Sequence, residues 1–440
     1  MPMRPPVLCA LLPLLLAAPA AAGPSLTIYA HDLAFVREAR TLDVRAGRDT
    51  LRLEGVSDRL DPTSVRLAVE GARVVRLAYR WDVATGDDLL ARSLGRRVRV
   101  VAQGERVSEG TLLSADGAWL VVRGDDGAVT ALARDRVQEV QVARPDAGLS
   151  LRPAIEAVLA GARGGPLPAQ LSYLTGGLSW TAEHTLVRTG ETTARWSTAV
   201  QIENATGRAF ADAKVRLVAG EPARAGGQEP RPLAYLQVSA ARSMEAPDAK
   251  AAEEGFADYH LYTLAEPLTL RDRETQTWTL YDPRPVSVKP RYVYRGGDPR
   301  GVLSRLELVN SAGAGPGVPL PAGRVRCFAP AADDELQFVG ESMLRPTAVD
   351  EPFTLDLGYA FDLAAERRET SNRRIADHER EYAVEIRLRN RRAADASVQV
   401  EEPAGGDVEV VQSSLPATRK DANTLAFTVP VPAGREVVLT

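Results

Sequence analysis

The stretch YLTGGLSWTAEHTLV, residues 173–187, contains a tryptophan, a glutamate and a histidine close to two glycines. Apolar and polar residues alternate along it, and neighbouring side chains of a β-strand point to opposite faces of the sheet. The first face then holds Leu178, Trp180, Ala182, His184 and Leu186, and the second holds Ser179, Thr181, Glu183 and Thr185. We predict a strand with one apolar face and an exposed Glu183. In such a strand Glu183 and His184 form no dyad unless a bulge intervenes.

The alternation continues in the residues that follow. Trp196, Thr198, Val200 and Ile202 form a second series, NATG at 204–207 predicts a turn, and Ala213, Val215, Leu217 and Ala219 form a third series. Asn204-Ala205-Thr206 also matches a glycosylation acceptor, although a turn is the preferred interpretation. Three consecutive strands explain the stretch without chemistry, so His184 is expected in the core. The alternative is a histidine that contacts a ligand.

Short alternating runs of this kind, separated by turn pairs such as Asp116-Gly117 and Asp126-Gly127, extend over most of the 440 residues. They predict an all-β fold of several small antiparallel β-sandwich or barrel domains. The dense strands of Gly95 to Val142 favour a small closed barrel of the SH3 or Sm type. The predicted division is a signal peptide (1–22), an N-terminal β domain (23–90), the barrel (91–145), a central β domain (146–239), a linker (240–256), a β domain (257–375) and a sandwich-like C-terminal domain (376–440). The last run, REVVLT, stops in mid-strand, which is compatible with a further strand beyond Thr440.

The first residues, MPMRPPVLCALLPLLLAAPAAAG, combine an early Arg4, an apolar run from Val7 to Leu16 and the small residues Ala20 to Ala22. This pattern predicts a secretory signal that is cut near Gly23. The run is too short for a membrane span, and no later segment reaches the roughly 20 apolar residues that a span requires. Arginine is common and lysine rare, which indicates a GC-rich bacterial genome. We therefore expect a periplasmic or secreted protein without a membrane span.

Local spacing predicts no catalytic, cofactor-binding or metal-binding residues. His31, His184, His260 and His378 are far apart in sequence, and no HxH or HExxH spacing occurs. A G-x-S-x-G elbow is absent, and GARGGP at 161–166 lacks the lysine of a phosphate loop. Once Cys9 leaves with the signal, Cys327 is the only cysteine, so no intramolecular disulfide can form. A buried small hydrophobe is the expected role of Cys327, rather than a nucleophile.

Two acidic pairs, Asp333-Asp334 and Glu401-Glu402, are the candidates for glycosidase chemistry, which needs two carboxylates that face one another. Adjacent acids on a strand diverge, and acidic turns are usually only solvated. The sequences DDELQ and GDDG also suggest calcium ligands, but they lack the spaced oxygens of a recognised loop. Hairpin turns are the preferred interpretation of both.

Nucleic-acid binding is considered because small barrels often bind RNA or single strands through basic grooves and aromatic platforms. In Gly95 to Val142 the arginines are balanced by acidic residues, and Trp119 is the only aromatic residue. The formal net charge of −4 gives the whole chain no field that would attract nucleic acid. We predict a structural or protein-contacting barrel that does not bind nucleic acid.

Four segments, YLTGGLSWTAEHTL, IENATGRAFADAKVRLVAG, GVPLPAGRVRCF and FVGESMLRPTAVDEPFTLDLGYAFDL, resemble a domain of unknown function. It is the uncharacterised C-terminal β domain shared with mucoidy-inhibitor-like bacterial proteins. The resemblance runs in order from about Ser25 to the chain end, and it implies a β-rich fold without assigning any catalytic residue. Those relatives carry a helical coiled-coil segment before the domain, whereas this chain carries the predicted barrel.

These observations favour an exported, non-enzymatic β protein that binds another protein or a cell-envelope component. The alternative is an envelope glycan hydrolase whose carboxylates come from distant segments. A cleft with two facing carboxylates would favour the hydrolase, whereas flat faces would favour binding.

Overall fold

The computed structural model describes residues 23–81, 85–142, 152–220, 222, 251–256, 259–405 and 408–440. Strands make up 65% of the structure and helices 4%, which confirms the all-β prediction. The predicted signal peptide lies outside the described residues, as do residues 240–250 of the predicted linker. Within the described ranges, no helix has both the length and the apolar character needed to cross a bilayer.

The described residues 23–81 and 85–142 contain ten strands and one short α-helix. They are β1 (Ser25–Tyr29), β2 (Ala34–Val44), β3 (Gly47–Glu54), β4 (Arg66–Val69), β5 (Arg73–Arg80), α1 (Gly86–Arg92), β6 (Arg97–Ala102), β7 (Arg106–Ala115), β8 (Trp119–Arg123), β9 (Val129–Ala133) and β10 (Val137–Val142). Two 3-10 turns accompany them, at Pro62–Ser64 and Arg134–Arg136.

The remaining strands follow in two groups. The first is β11 (Ala154–Ala162), β12 (Gly165–Thr175), β13 (Leu178–Arg188), β14 (Thr193–Asn204), β15 (Phe210–Ala219), β16 (Ala251–Phe256), β17 (Tyr259–Leu264), β18 (Leu268–Leu270), β19 (Glu274–Ser287) and β20 (Lys289–Arg295). The second is β21 (Leu303–Val309), β22 (Gly323–Pro330), β23 (Leu336–Leu344), β24 (Pro352–Tyr359), β25 (Leu363–Ala376), β26 (Glu379–Asn390), β27 (Ala396–Pro403), β28 (Thr418–Asp421), β29 (Thr424–Val431) and β30 (Glu436–Leu439).

The largest sheet has eight strands in the order β16-β17-β15-β1-β2-β12-β4, with β18 paired to β15. Its strand β1 is interior, because it pairs in parallel with β15 and antiparallel with β2. The sheet joins strands from the predicted domains 23–90, 146–239 and 257–375, and β16 lies in the predicted linker 240–256. These pairings run across the predicted boundaries, since the segments share one hydrogen-bonded sheet.

A five-stranded sheet, β19-β14-β13-β22-β23, packs on the eight-stranded sheet. Trp180 of β13 bridges the two, since its indole Nε1 donates to the carbonyl of Val218 on β15 at 3.2 Å. The ring of Trp180 also meets that of Tyr262 edge-on, with the centroids 6.2 Å apart. The three-stranded sheet β3-β11-β5 contributes to the same continuous core.

A second core lies near the C-terminus, between the six-stranded sheet β24-β21-β20-β27-β29-β28 and the three-stranded sheet β25-β26-β30. Tyr294, Leu363, Val400 and Leu439 are buried in it. A boundary between residues 375 and 376 would cut the β25–β26 hairpin, and Tyr294 lies far upstream of it. The C-terminal unit therefore extends beyond the predicted range 376–440.

Residues 95–142 form a sheet of their own, in the order β10-β6-β7-β8-β9, around a third core that includes Val98, Leu112 and Leu120. The five strands and their Asp-Gly turns agree with the prediction. Helix α1, which the sequence analysis did not predict, precedes them and begins at a capping box formed by Thr85 and Asp88. Within residues 85–142 no ladder joins β9 to β10, so barrel closure stays a prediction.

A fully buried asparagine lies at the end of β14, directly after β21 and at the end of β26, and in each case its side-chain amide donates to backbone carbonyls. The pairs are Asn204 to Arg271 O (3.0 Å), Asn310 to Val318 O (2.8 Å) and Asn390 to Val431 O (2.9 Å). Such bonds satisfy carbonyls that the sheets leave unpaired where a strand gives way to a loop. The turn predicted at NATG is confirmed. The buried amide of Asn204 is inaccessible to a glycosylating enzyme in this fold.

Candidate functional site

Strand β13 has the predicted two faces. Leu178, Trp180, Ala182, His184 and Leu186 are buried, and the residues between them are not. Gly177 makes the turn before the strand: its φ is +84°, and a Cβ there would lie 2.7 Å from the carbonyl oxygen of Ala205. The close approach and the positive φ both favour glycine. This turn sets the register that carries Trp180 and His184 into the core.

His184 has no exposed surface, and its two ring nitrogens are both hydrogen-bonded. Nε2 lies 3.0 Å from the carbonyl oxygen of Pro321, which can only accept, so Nε2 carries the proton. Nδ1 then accepts from the hydroxyl of Thr198 at 2.9 Å, and Thr198 Oγ1 accepts from the indole of Trp196 at 3.1 Å. Burial lowers the pKa of His184 to about 4. The prediction of a core histidine is confirmed.

Glu183 differs from its predicted exposure. Its side chain is only 15% exposed, and Arg326 Nη1 donates to Glu183 Oε2 at 2.8 Å. Arg326 lies on β22, which pairs in parallel with β13. The strand alternation correctly assigns Glu183 to the outer face, but it does not reveal the neighbouring strand that supplies the arginine.

Cys327 is fully buried on β22, in the core that the two packed sheets share. Burial raises the pKa of its thiol to about 12. A thiol in this state forms almost no thiolate at neutral pH, and the thiolate is the reactive species. The expected role as a small buried hydrophobe is therefore confirmed.

We expect Cys327 to resist alkylation by iodoacetamide in the native protein at pH 8 and to react fully in 6 M guanidinium chloride, because only unfolding exposes it. Mass spectrometry of the intact mature chain measures the modified fraction. Rapid labelling of native protein would contradict the buried position.

The acidic pairs do not form a catalytic arrangement. Asp333 and Asp334 lie in the exposed turn between β22 and β23, as predicted for DDELQ. Glu401 accepts from Lys420 Nζ at 2.6 Å, and Glu402 accepts from Arg367 Nη2 at 2.7 Å. Each of these two carboxylates is therefore engaged in an ion pair within the fold. Among the described residues, no group of three or more histidines, cysteines or carboxylates is arranged to hold a metal ion.

A cleft of about 420 Å³ lies where β2, β3 and the loop before β15 meet. Glu38 is its buried centre and accepts from Arg40 Nη2 and Arg208 Nη1, both at 2.7 Å. Arg40 also donates to the carbonyl of Glu54 at 2.7 Å, and the guanidinium of Arg208 stacks on Phe210 at 4.5 Å. The charged side chains of Glu38, Arg40 and Arg208 are therefore engaged in ion pairs and hydrogen bonds within the fold.

The hairpin tip, defined here as residues 328–339 of β22, β23 and their turn, presents exposed apolar residues at a sheet edge. Leu336, Phe338 and Val339 are 56%, 57% and 39% exposed, and the ring of Phe328 lies 5.9 Å from that of Phe338. The tip projects because β13 pairs with β22 only as far as Phe328. Beyond that point β23 is the only strand paired with β22 among the described residues.

A polar notch of about 320 Å³ lies beside the hairpin, between β23 and β24. Gly340 allows β23 to lie close to β24: its φ is +151°, and a Cβ there would lie 2.1 Å from the carbonyl oxygen of Leu357. Asp356 in the notch accepts from Arg305 Nε at 2.6 Å and lies 3.6 Å from Arg295 Nη2. These carboxylate contacts make the notch a fixed polar surface next to the apolar tip.

A second ion pair borders the same notch. Asp298 accepts from Arg300 Nε at 3.0 Å, which lowers the pKa of this carboxyl to about 2. The hydroxyl of Tyr359 donates to the other oxygen of Asp298 at 3.2 Å. The guanidinium of Arg300 lies 4.8 Å from the centroid of the Tyr359 ring. A carboxylate held in this way is a poor proton donor near neutral pH, so the notch suits binding better than acid catalysis.

Sequence reasoning missed both features. Phe328 and Phe338 fit the alternating pattern of core residues, and only the end of the β13 ladder makes them surface residues. The available signal was the position of DDELQ, which placed an acidic turn directly before an apolar run. Apolar residues next to a solvated turn lie where the support of neighbouring strands often ends.

In residues 95–142 the arginines Arg97 and Arg99 are engaged with acids. Arg97 donates to both carboxylate oxygens of Asp125 at 2.8 Å, and Arg99 Nε lies 3.2 Å from Glu109. Trp119 is 48% exposed. The pairing removes much of the positive potential that binding to phosphates requires.

Comparison of the chain with protein-family models gives no match, and comparison with the curated proteins gives none either.

Proposed function

We propose that this chain is an exported, non-enzymatic protein that binds another protein through the hairpin tip. The apolar cluster on the projecting edge hairpin, in which Leu336 and Phe338 are exposed and the half-buried Phe328 lies against Phe338, is the observation that carries the proposal. Contiguous exposed apolar residues next to polar groups are typical of protein interaction sites, and buried aromatic anchors supply much of the binding energy there.

Two sequence features support the rest of this proposal. The pattern of residues 1–22 supports export to the periplasm or the medium. The resemblance to the uncharacterised β domain of mucoidy-inhibitor-like proteins supports a bacterial envelope protein. The fixed ion pairs at Glu401 and Glu402 argue against the alternative glycan hydrolase.

The proposal includes an SH3- or Sm-type barrel at residues 95–142. The strand order β10-β6-β7-β8-β9, helix α1 before β6 and the 3-10 turn Arg134–Arg136 between β9 and β10 support this assignment. In this reading the barrel is a separate module with its own core.

Site-specific photo-crosslinking in the host tests the binding site. We expect a photoreactive amino acid at Phe338 or Leu336 to give one adduct of defined mass, whose partner is a protein identified by mass spectrometry. The matched control is Val129, which is 59% exposed on a hairpin of the barrel and should give no such adduct. Substituting Phe328→Ser should reduce the Phe338 adduct at least about tenfold, because hot-spot aromatics dominate binding.

Two results would overturn the proposal. One is an equal adduct at Val129, or none at either tip position. The other is release of soluble sugar from purified envelope glycan by the wild-type chain, with that release lost on Glu401→Gln or Glu402→Gln.

A further inference from the structure

The edge of β23 at the hairpin tip is open to another strand. β23 ends the five-stranded sheet, and among the described residues its only ladder is the one with β22. The adjacent strand β24 approaches it at Gly340 and Ser342, where the backbone N–H of Asp356 donates to Ser342 Oγ at 3.3 Å. The part of the edge from Leu336 to Val339 lies before this approach. An unpaired strand edge is a template for an added strand.

The turn at the end of this edge carries three acids. Its backbone is fixed by bonds from Ala331 N to Glu335 O at 2.8 Å and from Asp334 N to Ala331 O at 3.0 Å. Asp333, Asp334 and Glu335 are exposed, and no lysine or arginine of the described chain lies within ion-pair distance of them. By contrast, two acids of the same sheet lie near Arg326: Glu183 at 2.8 Å and Glu341 at 3.8 Å. The acidic end of the hairpin therefore presents uncompensated negative charge.

We propose that the occupant of this edge is an extended segment of a partner protein that pairs with β23 as an added strand, with apolar residues at alternate positions and basic residues at the end near Asp333. Its backbone would pair with the edge from Leu336 to Val339. Its apolar side chains would lie beside Leu336 and Phe338, which share one face of β23. Its cations would neutralise the acidic turn. This inference rests on the proposed function, because it specifies the partner of the same surface.

Anisotropy titrations of the full mature chain with short labelled peptides test the chemistry. The probe is Lys-Val-Lys-Val-Lys-Val-Lys, blocked at both ends, and it should bind saturably. Replacing its lysines by glutamates should weaken binding at least tenfold, because the acidic turn then repels the peptide. Replacing its central valine by proline should abolish binding, since proline has no N–H for the ladder and fixes its own φ.

The matched protein variants separate local charge from overall charge. Asp333→Asn, Asp334→Asn and Glu335→Gln together should weaken binding of the lysine peptide about tenfold, at two- to threefold for each exposed charge. The control makes the same change in net charge at the exposed residues Glu70→Gln, Glu105→Gln and Asp135→Asn, and it should bind as the wild type does.

Three outcomes would overturn the inference. The lysine and glutamate peptides bind equally, the proline peptide binds as well as the lysine peptide, or the control triple variant loses as much affinity as the turn variant. A wild-type dimer that becomes monomeric on Phe338→Ser in sedimentation would instead make a second copy of this chain the occupant. Failure of the peptides together with a protein adduct at Phe338 would reject this strand chemistry and leave the proposed function standing. If the peptides do not bind and no adduct forms at Phe338, both this inference and the proposed function are rejected.

Discussion

Replacing Trp180 by alanine should lower the free energy of unfolding by about 3–5 kcal/mol, the range for a large core aromatic. The indole is 3% exposed and lies between the two packed sheets. Its loss removes the contact with Tyr262 and leaves a cavity, and the carbonyl of Val218 loses its side-chain donor. Urea unfolding followed by far-UV circular dichroism measures the change.

Glu183→Ala is the matched control, three residues away on the opposite face of the same strand. Its ion pair with Arg326 is partly exposed, so the expected loss is about 1 kcal/mol or less. Equal losses for Trp180→Ala and Glu183→Ala would mean that the register of β13 is wrong. The five-stranded segment 95–142 has a separate core, so its unfolding should respond to neither change.

The register of β13 was predictable because side-chain direction in a strand depends only on sequence parity. The strands that pair with β13 were not predictable, because alternation shows which face a residue lies on and does not show which strand lies beside it. Strand β1 pairs in parallel with β15, about 190 residues later in the chain. This long-range pairing joins residues from the two predicted domains 23–90 and 146–239, and no local pattern indicates it. The self-contained segment 95–142 was predictable, because its five strands pair only with one another within a span of about fifty residues.

The hydrogen bonds of the buried asparagines are a second feature that the sequence did not reveal. In sequence, Asn204 appeared only as a turn residue and a possible glycan acceptor, since asparagine favours turns. In the fold its amide also donates to the carbonyls of Leu270, the last residue of β18, and of Arg271 directly after it, both far along the chain. The same role of Asn310 and Asn390 depends on loops that local patterns cannot bring together.

For the candidate site, the sequence located the acidic turn but not the exposed surface around it. Phe338 is apolar and lies in an alternating run, which normally indicates burial. Whether it is buried depends on how far β13 extends along β22, and that length is set by the β13–β14 hairpin. Exposure of the tip is therefore a property of strand lengths in three dimensions rather than of local pattern.

His184 should make the stability of the protein depend on pH. The pKa of the folded-state imidazole is about 4, whereas an unfolded histidine titrates near 6.5. Between these values the unfolded chain binds a proton that the folded chain does not, so unfolding is favoured as the pH falls. The stabilisation is complete above pH 6.5 and is lost as the pH falls to about 4. The two pKa values correspond to about 3 kcal/mol.

The measurement is the free energy of unfolding between pH 7 and pH 4, compared with that of His184→Gln. Glutamine does not titrate, while its amide can donate to Pro321 O and its oxygen can accept from Thr198, as the imidazole does. Carboxyl titration affects both proteins, so the difference between their slopes isolates His184. If His184→Gln loses stability as steeply as the wild type below pH 6.5, the proton enters elsewhere and His184 is not the neutral core group that its bonds to Thr198 and Pro321 require.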